Sequence, residues 1–181
     1  MFLFEEYIIN IQIYKKEKSE LLVDNMPIIT IILYSFPESY LIFWFGLVII
    51  GHKLKFQNIM LATILSVFFS HAIRRLPLPF GLHTVIGLLI VCLLFLFIFK
   101  LDIKKAIFVT LISIGTLIAL ENTVLYFLQL ELHLPLKEIW KHPLLRTFIG
   151  WPHLIIWLII TLFIYNKNLR LLSNSKDDPN V

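Results

Sequence analysis

Four charged residues stand inside or at the rim of long apolar runs: Glu38, the adjacent Arg74 and Arg75, and Glu121. Three histidines, His71, His83 and His153, lie in or beside the same runs. A charge at a bilayer centre costs about 2.5–3.5 kcal/mol on insertion scales, so ionisable groups within a membrane usually face a bundle interior. Ion pairing and recognition of a polar ligand are the chemistries open to this set. Catalysis is not expected: it needs a nucleophile with a base at a matching position, or a metal constellation. Cys92, the lone cysteine, has no histidine at its depth, and no Gly-x-Ser-x-Gly motif occurs. The histidines follow no His-Glu-x-x-His or His-x-x-x-His spacing, so neither a metal nor a cofactor is expected. A metal site drawn from His71, His83, His153 and Glu121 is geometrically conceivable but disfavoured.

The elements that must position these residues follow from composition. Of 181 residues, 59% are hydrophobic and 15% charged, and mean hydropathy is +0.85. Soluble domains carry about 45–50% apolar and about 25% charged residues, so the chain reads as one all-α, polytopic integral membrane unit with the lipid bilayer as its solvent. The net charge of +4 is modest and comes from lysine and arginine flanking the apolar runs, which excludes nucleic acid as a partner.

A spanning helix needs about 20 mostly apolar residues. Five runs qualify: Pro27–Ile50, Phe56–Leu76, Leu82–Phe99, Ala106–Leu132 and Thr147–Tyr165, which places a five-span membrane domain over residues 26–166. The connection at 133–146 is longer, and Pro135 is placed to start a short interfacial helix with Leu136, Ile139 and Trp140 on one face. Residues 1–25 mix Glu, Lys and short apolar stretches without a signal-peptide pattern. They read either as an amphipathic tail or as a stretch upstream of a true start at Met26. Residues 167–181 form a polar tail.

Five spans put the termini on opposite sides. Lys53, Lys55, Lys100, Lys104, Lys105, Lys167, Arg170 and Lys176 fall on one side, eight against the five of Arg74, Arg75, Lys137, Lys141 and Arg146. The richer side is expected in the cytoplasm, so the chain is expected in the cell membrane with its N-terminus outside and C-terminus inside. Counting Lys15, Lys16 and Lys18 of the tail would level the balance.

Depth then groups the polar residues. Glu38 lies about 16 Å into the first span and Glu121 about 22 Å from the cytoplasmic end of the fourth, at 1.5 Å per residue. His71, Arg74, His83 and His153 fall in the same outer half. Spacing adds direction: Ala62, Ser66, Ser70 and Arg74 recur at i+4 as a ridge of small residues, with Arg75 turned about 100° away. Thr110, Ser113 and Glu121 share a face, as do Gly150, His153, Trp157 and Thr161. Arg74 is expected to pair with Glu121 or Glu38. The plainer readings are that the arginines snorkel to headgroups, that an Arg–Glu pair only fixes helix register, and that Pro37 beside Glu38 is a simple kink.

PESYLIFWFGLVIIG at 37–51 and HAIRRLPLPFGLHTVIGLL at 71–89 together resemble the multi-span input region of agr-like sensor histidine kinases of low-GC Gram-positive bacteria. The likeness runs over about residues 26–165, and the arginine pair with LPLPFGLHT carries most of it. It implies a membrane sensor, whose kinase half would follow the last span. Here only NKNLRLLSNSKDDPNV follows Tyr165, with no phosphoacceptor helix and no Gly-rich nucleotide motif. The expectation is a non-enzymatic signal-sensing or accessory module that acts through a membrane or cytoplasmic partner, or by self-association. The alternatives are the substrate-capture subunit of a small-solute transporter and a structural membrane protein with a charge-paired core.

Overall fold

The fold is given by a computed structural model that describes residues 31–74, 76, 82–132 and 143–169. Among them there are helices and no strands. A π-helical turn, Ile31–Ser35, leads into α1 (Phe36–Ile49), followed by α2 (Phe56–Arg74), α3 (Leu82–Phe97), α4 (Ile103–Leu132) and α5 (Pro143–Asn166). Four of these helices are long and apolar enough to cross a membrane, whereas α3 has 16 residues and falls short of that length. The N-terminal tail, Arg75, residues 133–142 with the expected interfacial helix, and the end of the polar tail lie outside the described residues.

Helices α2 and α3 begin where their apolar runs begin, at Phe56 and Leu82, while α4 and α5 begin three and four residues earlier than expected, at Ile103 and Pro143. Pro37 lacks an N–H and its ring crowds the carbonyl four residues back, at Leu33. The backbone relieves this by widening into the π-helical turn just before α1. Three helices end on residues in the left-handed region: Gly51 at φ 66° after α1, Lys100 at φ 53° after α3 and Asn168 at φ 51° after α5. At the first, the Gly51 N–H donates to the Val48 carbonyl and the His52 N–H to Leu47, each at 3.0 Å. The paired bonds of such a reversal satisfy carbonyls that the helix end leaves open.

Short connections make α1 and α2, and α3 and α4, antiparallel neighbours. Helix α1 is the post of the bundle: it packs on α2, α4 and α5, while α3 lies against α2 and α4. Half of its membrane-length stretch is buried, against 22–28% in the other three long helices. Its core side meets a cluster of rings: Phe43 lies 5.1 Å from Phe95 and 5.9 Å from Phe99, and Phe45 lies 5.5 Å from Trp157. Gly46 lets α4 approach closely, since a Cβ there would press on Val109 and sit 2.9 Å from Ser113 Oγ. Large apolar side chains such as Ile64, Leu111 and Ile159 point outward, as lipid-facing surfaces require.

Three buried threonine hydroxyls are satisfied within their own helices. Thr63, Thr110 and Thr161 each donate to the carbonyl four residues back, at Ile59, Ala106 and Trp157, over 2.7–2.8 Å. They add no bond between helices.

Candidate functional site

The expected stripes of small and polar residues turn inward. Ala62 and Ser66 on α2, Thr110 and Ser113 on α4, and His153, Trp157 and Thr161 on α5 are all buried. This follows from α-helical geometry, because positions three or four apart share a face.

Towards the end where α1 and α3 begin, the bundle opens into a cavity of about 380 Å³. Four helices supply its polar wall: Glu38 and Ser39 from α1, Ser66 and Ser70 from α2, His83 and Thr84 from α3, and Glu121 from α4. Ile42, Ile73 and Leu117 supply part of its apolar lining. Gly87 also lines it, and a Cβ there would meet nothing within 4 Å. His83 buries its Nδ1 without a hydrogen-bond partner among the described residues. The cavity is thus amphipathic, with carboxyl, imidazole and hydroxyl groups above an aliphatic lining.

The structure therefore gathers three of the seven residues that depth and spacing single out: Glu38, His83 and Glu121. Arg74 is the last residue of α2, one turn beyond Ser70 on the same register, and Arg75 lies outside the described residues. His71 lies on another face of α2, at an open apolar groove of about 520 Å³ formed with Ile32, Phe36, Ile64, Val67 and Phe68. Ser70 enters the cavity and the next residue cannot, being rotated about 100° around the helix.

His153 is in the bundle interior but not in the cavity. It is 1% exposed, its ring meets Tyr34 edge-on at 5.9 Å, and its Nε2 has no partner among the described residues. Ser113 Oγ and Trp157 Nε1 are buried and unpartnered in the same sense. No group of three or more His, Cys, Asp or Glu among the described residues is placed to hold a metal ion.

No protein-family model, curated protein or solved structure matches the chain. The functional reading rests on the residues and their geometry.

Thr84 and Gly87 are cavity residues that neither depth nor charge singled out. Their signal in the sequence is positional: Thr84 follows His83 at the start of α3, and Gly87 lies one turn beyond His83.

Proposed function

We propose that this chain is a non-enzymatic, five-span protein of the cell membrane that senses a signal, or assists a sensor, through the polar cavity, and passes the change to a partner. The observation that carries this reading is that four helices each contribute a polar side chain to one cavity. A ligand touching all four favours the helix arrangement that fits it best, and that difference in affinity is what shifts a population. The amphipathic lining suits a small ligand with a polar group and an aliphatic body, or a side chain of a peptide.

Helix α3 makes the fifth span. Its 16 residues cover about 24 Å, a modest mismatch with a hydrocarbon core of about 30 Å. Ile98 and Phe99 continue the apolar run, and local thinning takes up the remainder. Lys53, Lys55, Lys100, Lys104, Lys105 and Lys167 all flank the other ends of the helices and favour a cytoplasmic position there, with the cavity towards the outside. The likeness of 37–51 and 71–89 to the input regions of agr-like sensor kinases supports the same role, with a partner supplying the kinase.

Filling the cavity tests the proposal. Gly87→Trp places a large ring where the wall has room. Cells carrying this variant in place of the natural chain are compared with wild type and with a deletion strain by whole-transcriptome measurement. The expected outcome is a transcript pattern displaced from wild type, either along the deletion pattern or opposite to it. A wild-type pattern, with the variant present in membranes at wild-type abundance, would overturn the reading.

A further inference from the structure

The wall of the four-helix cavity is ordered along the helix axes. Helices α1 and α3 begin at this end of the bundle and α4 ends there, so depth rises with residue number on the first two and falls on the third. On α1, Glu38 is followed one turn deeper by Ile42. On α3, His83 is followed two turns deeper by Val91, and on α4 Leu117 lies one turn deeper than Glu121. Three helices thus each place a polar group near the mouth and an aliphatic group beneath it. The matching occupant has a polar head at the mouth and an aliphatic body on the floor. A volume of about 380 Å³ lies within the range of small-molecule sites, about 300–1,000 Å³.

The chemistry of the mouth selects the head. Ionised carboxylates only accept hydrogen bonds, and Glu38 and Glu121 supply two of them, which disfavours an anionic head. His83 Nδ1 is buried without a partner among the described residues. A polar atom left in that condition costs free energy that a hydrogen bond from an occupant restores. A primary ammonium has three N–H donors and can meet acceptors from α1, α3 and α4 together, whereas a hydroxyl has one donor and a trimethylammonium none. An alkylamine, like a lysine side chain, is charged at neutral pH.

The cavity also reaches the outside of the bundle. Thr84 and Ile118 line it and are both exposed, Ile118 by 45%. In a spanning bundle that surface faces lipid, so an amphiphile dissolved in the bilayer can enter from the side.

We infer, building on the reading of this cavity as a ligand site, that it binds a small primary aliphatic amine. The ammonium is held by Glu38, His83 and Glu121, and the chain lies along Ile42, Val91 and Leu117. Equilibrium binding of tritiated octylamine to the full chain in detergent, read by scintillation proximity, tests this. Saturable binding is expected. Unlabelled octylamine should displace the label at least about tenfold better than octanol, octanoate or octyltrimethylammonium, none of which presents charged N–H donors. Ethylamine, with the head but little body, should be weaker by a similar factor. E38Q, E121Q and H83F should each weaken binding roughly tenfold, the order expected for one charge-assisted hydrogen bond. E131Q removes the same charge from the exposed end of α4 and should change binding by less than about twofold.

Octanol or octyltrimethylammonium displacing the label as well as octylamine would overturn the ammonium assignment. Ethylamine doing so would overturn the aliphatic floor. Losses in E38Q, E121Q and H83F no larger than in E131Q would put the amine elsewhere and overturn the site. A lack of saturable binding would mean that the acceptors are satisfied within the chain, and would overturn it as well. If the variants do not purify as folded chains, the displacement series on the wild-type chain decides the ligand class. Sensing is read separately. A displaced transcript pattern in Gly87→Trp without octylamine binding to the wild-type chain would remove the amine and leave the sensor; the reverse pair of results would leave the amine site and remove the sensor.

Discussion

Gly46 on α1 and Gly87 on α3 mark two different interiors within one bundle. A Cβ at Gly46 would press on Val109, lie 2.8 Å from Phe95 Cζ and 2.9 Å from Ser113 Oγ. At Gly87 it would meet nothing within 4 Å, although the residue belongs to a cavity wall. In lipid no hydrophobic force draws helices together, so close packing and interhelical polar contacts must hold them. The region around Gly46 holds the bundle. The region around Gly87 has slack, and an occupant can use slack to select one helix arrangement over another.

The largest expected effect removes the packed side. Phe43 is fully buried and touches Phe95 and Phe99. Phe43→Ala should lower stability by about 3 kcal/mol, because the surrounding helices cannot close the space left behind. Unfolding in mixed micelles with increasing dodecyl sulfate measures this. A loss below about 1 kcal/mol would mean that the aromatic cluster is not where the bundle is held.

Gly46→Ala tests the same packing from the opposite direction. The added methyl must displace Val109, Phe95 and Ser113, and overpacking of this kind costs about 1–3 kcal/mol. His153 gives a third, smaller effect. Its Nε2 is buried without a partner among the described residues, while its ring makes an edge contact with Tyr34. His153→Phe keeps an aromatic ring against Tyr34 and removes the unpaired nitrogen, so stability should rise by about 1 kcal/mol. A fall of similar size would mean that Nε2 is satisfied in the membrane by ordered water.

What the sequence made legible divides along the same line. Charges and small residues are rare in apolar runs, so their spacing points to a face: Ser66, Ser70, His153, Trp157 and Thr161 turn inward as the three- and four-residue intervals require. Depth, by contrast, is blind to angle. It grouped His71 with Glu38 and Glu121, although His71 is turned about 100° around the helix from Ser70, which lines the cavity. The ring cluster of Phe43, Phe95 and Phe99 was not legible at all. Phenylalanine suits lipid and core alike, so composition does not distinguish Phe95, which is buried, from Phe97, which is exposed.

Outside the spans, His52 links stability to pH. Its imidazole is held below its usual range by burial and then by Lys105 and Lys55; Tyr165 lines a small cavity with His52, and Lys53 follows His52 in the chain. The folded chain therefore takes up this proton less readily than the unfolded one. Stability from this group is present above about pH 6.5 and is lost as pH falls below that value. The group is partly exposed, so the effect should stay below about 1 kcal/mol. His52→Gln should flatten that part of a stability-versus-pH curve in detergent; an unchanged slope would place the pH dependence elsewhere.

The smallest effect is the most discriminating for the comparison of the two glycines. In the α3 helix, alanine is intrinsically preferred to glycine by about 0.8–1.0 kcal/mol. At Gly46 steric pressure overrides that preference; at Gly87 nothing opposes it. Gly87→Ala should therefore raise stability by about 0.5 kcal/mol while Gly46→Ala lowers it, a difference of sign for one substitution at two glycines of one bundle. The same unfolding titration reads both. If Gly87→Ala destabilises the chain, neighbouring helices close on α3 in the bilayer, and the cavity wall has less slack than its open geometry indicates. If it stabilises, the space beside α3 persists in the folded chain, and Gly87→Trp then acts by occupying that space rather than by disrupting the bundle.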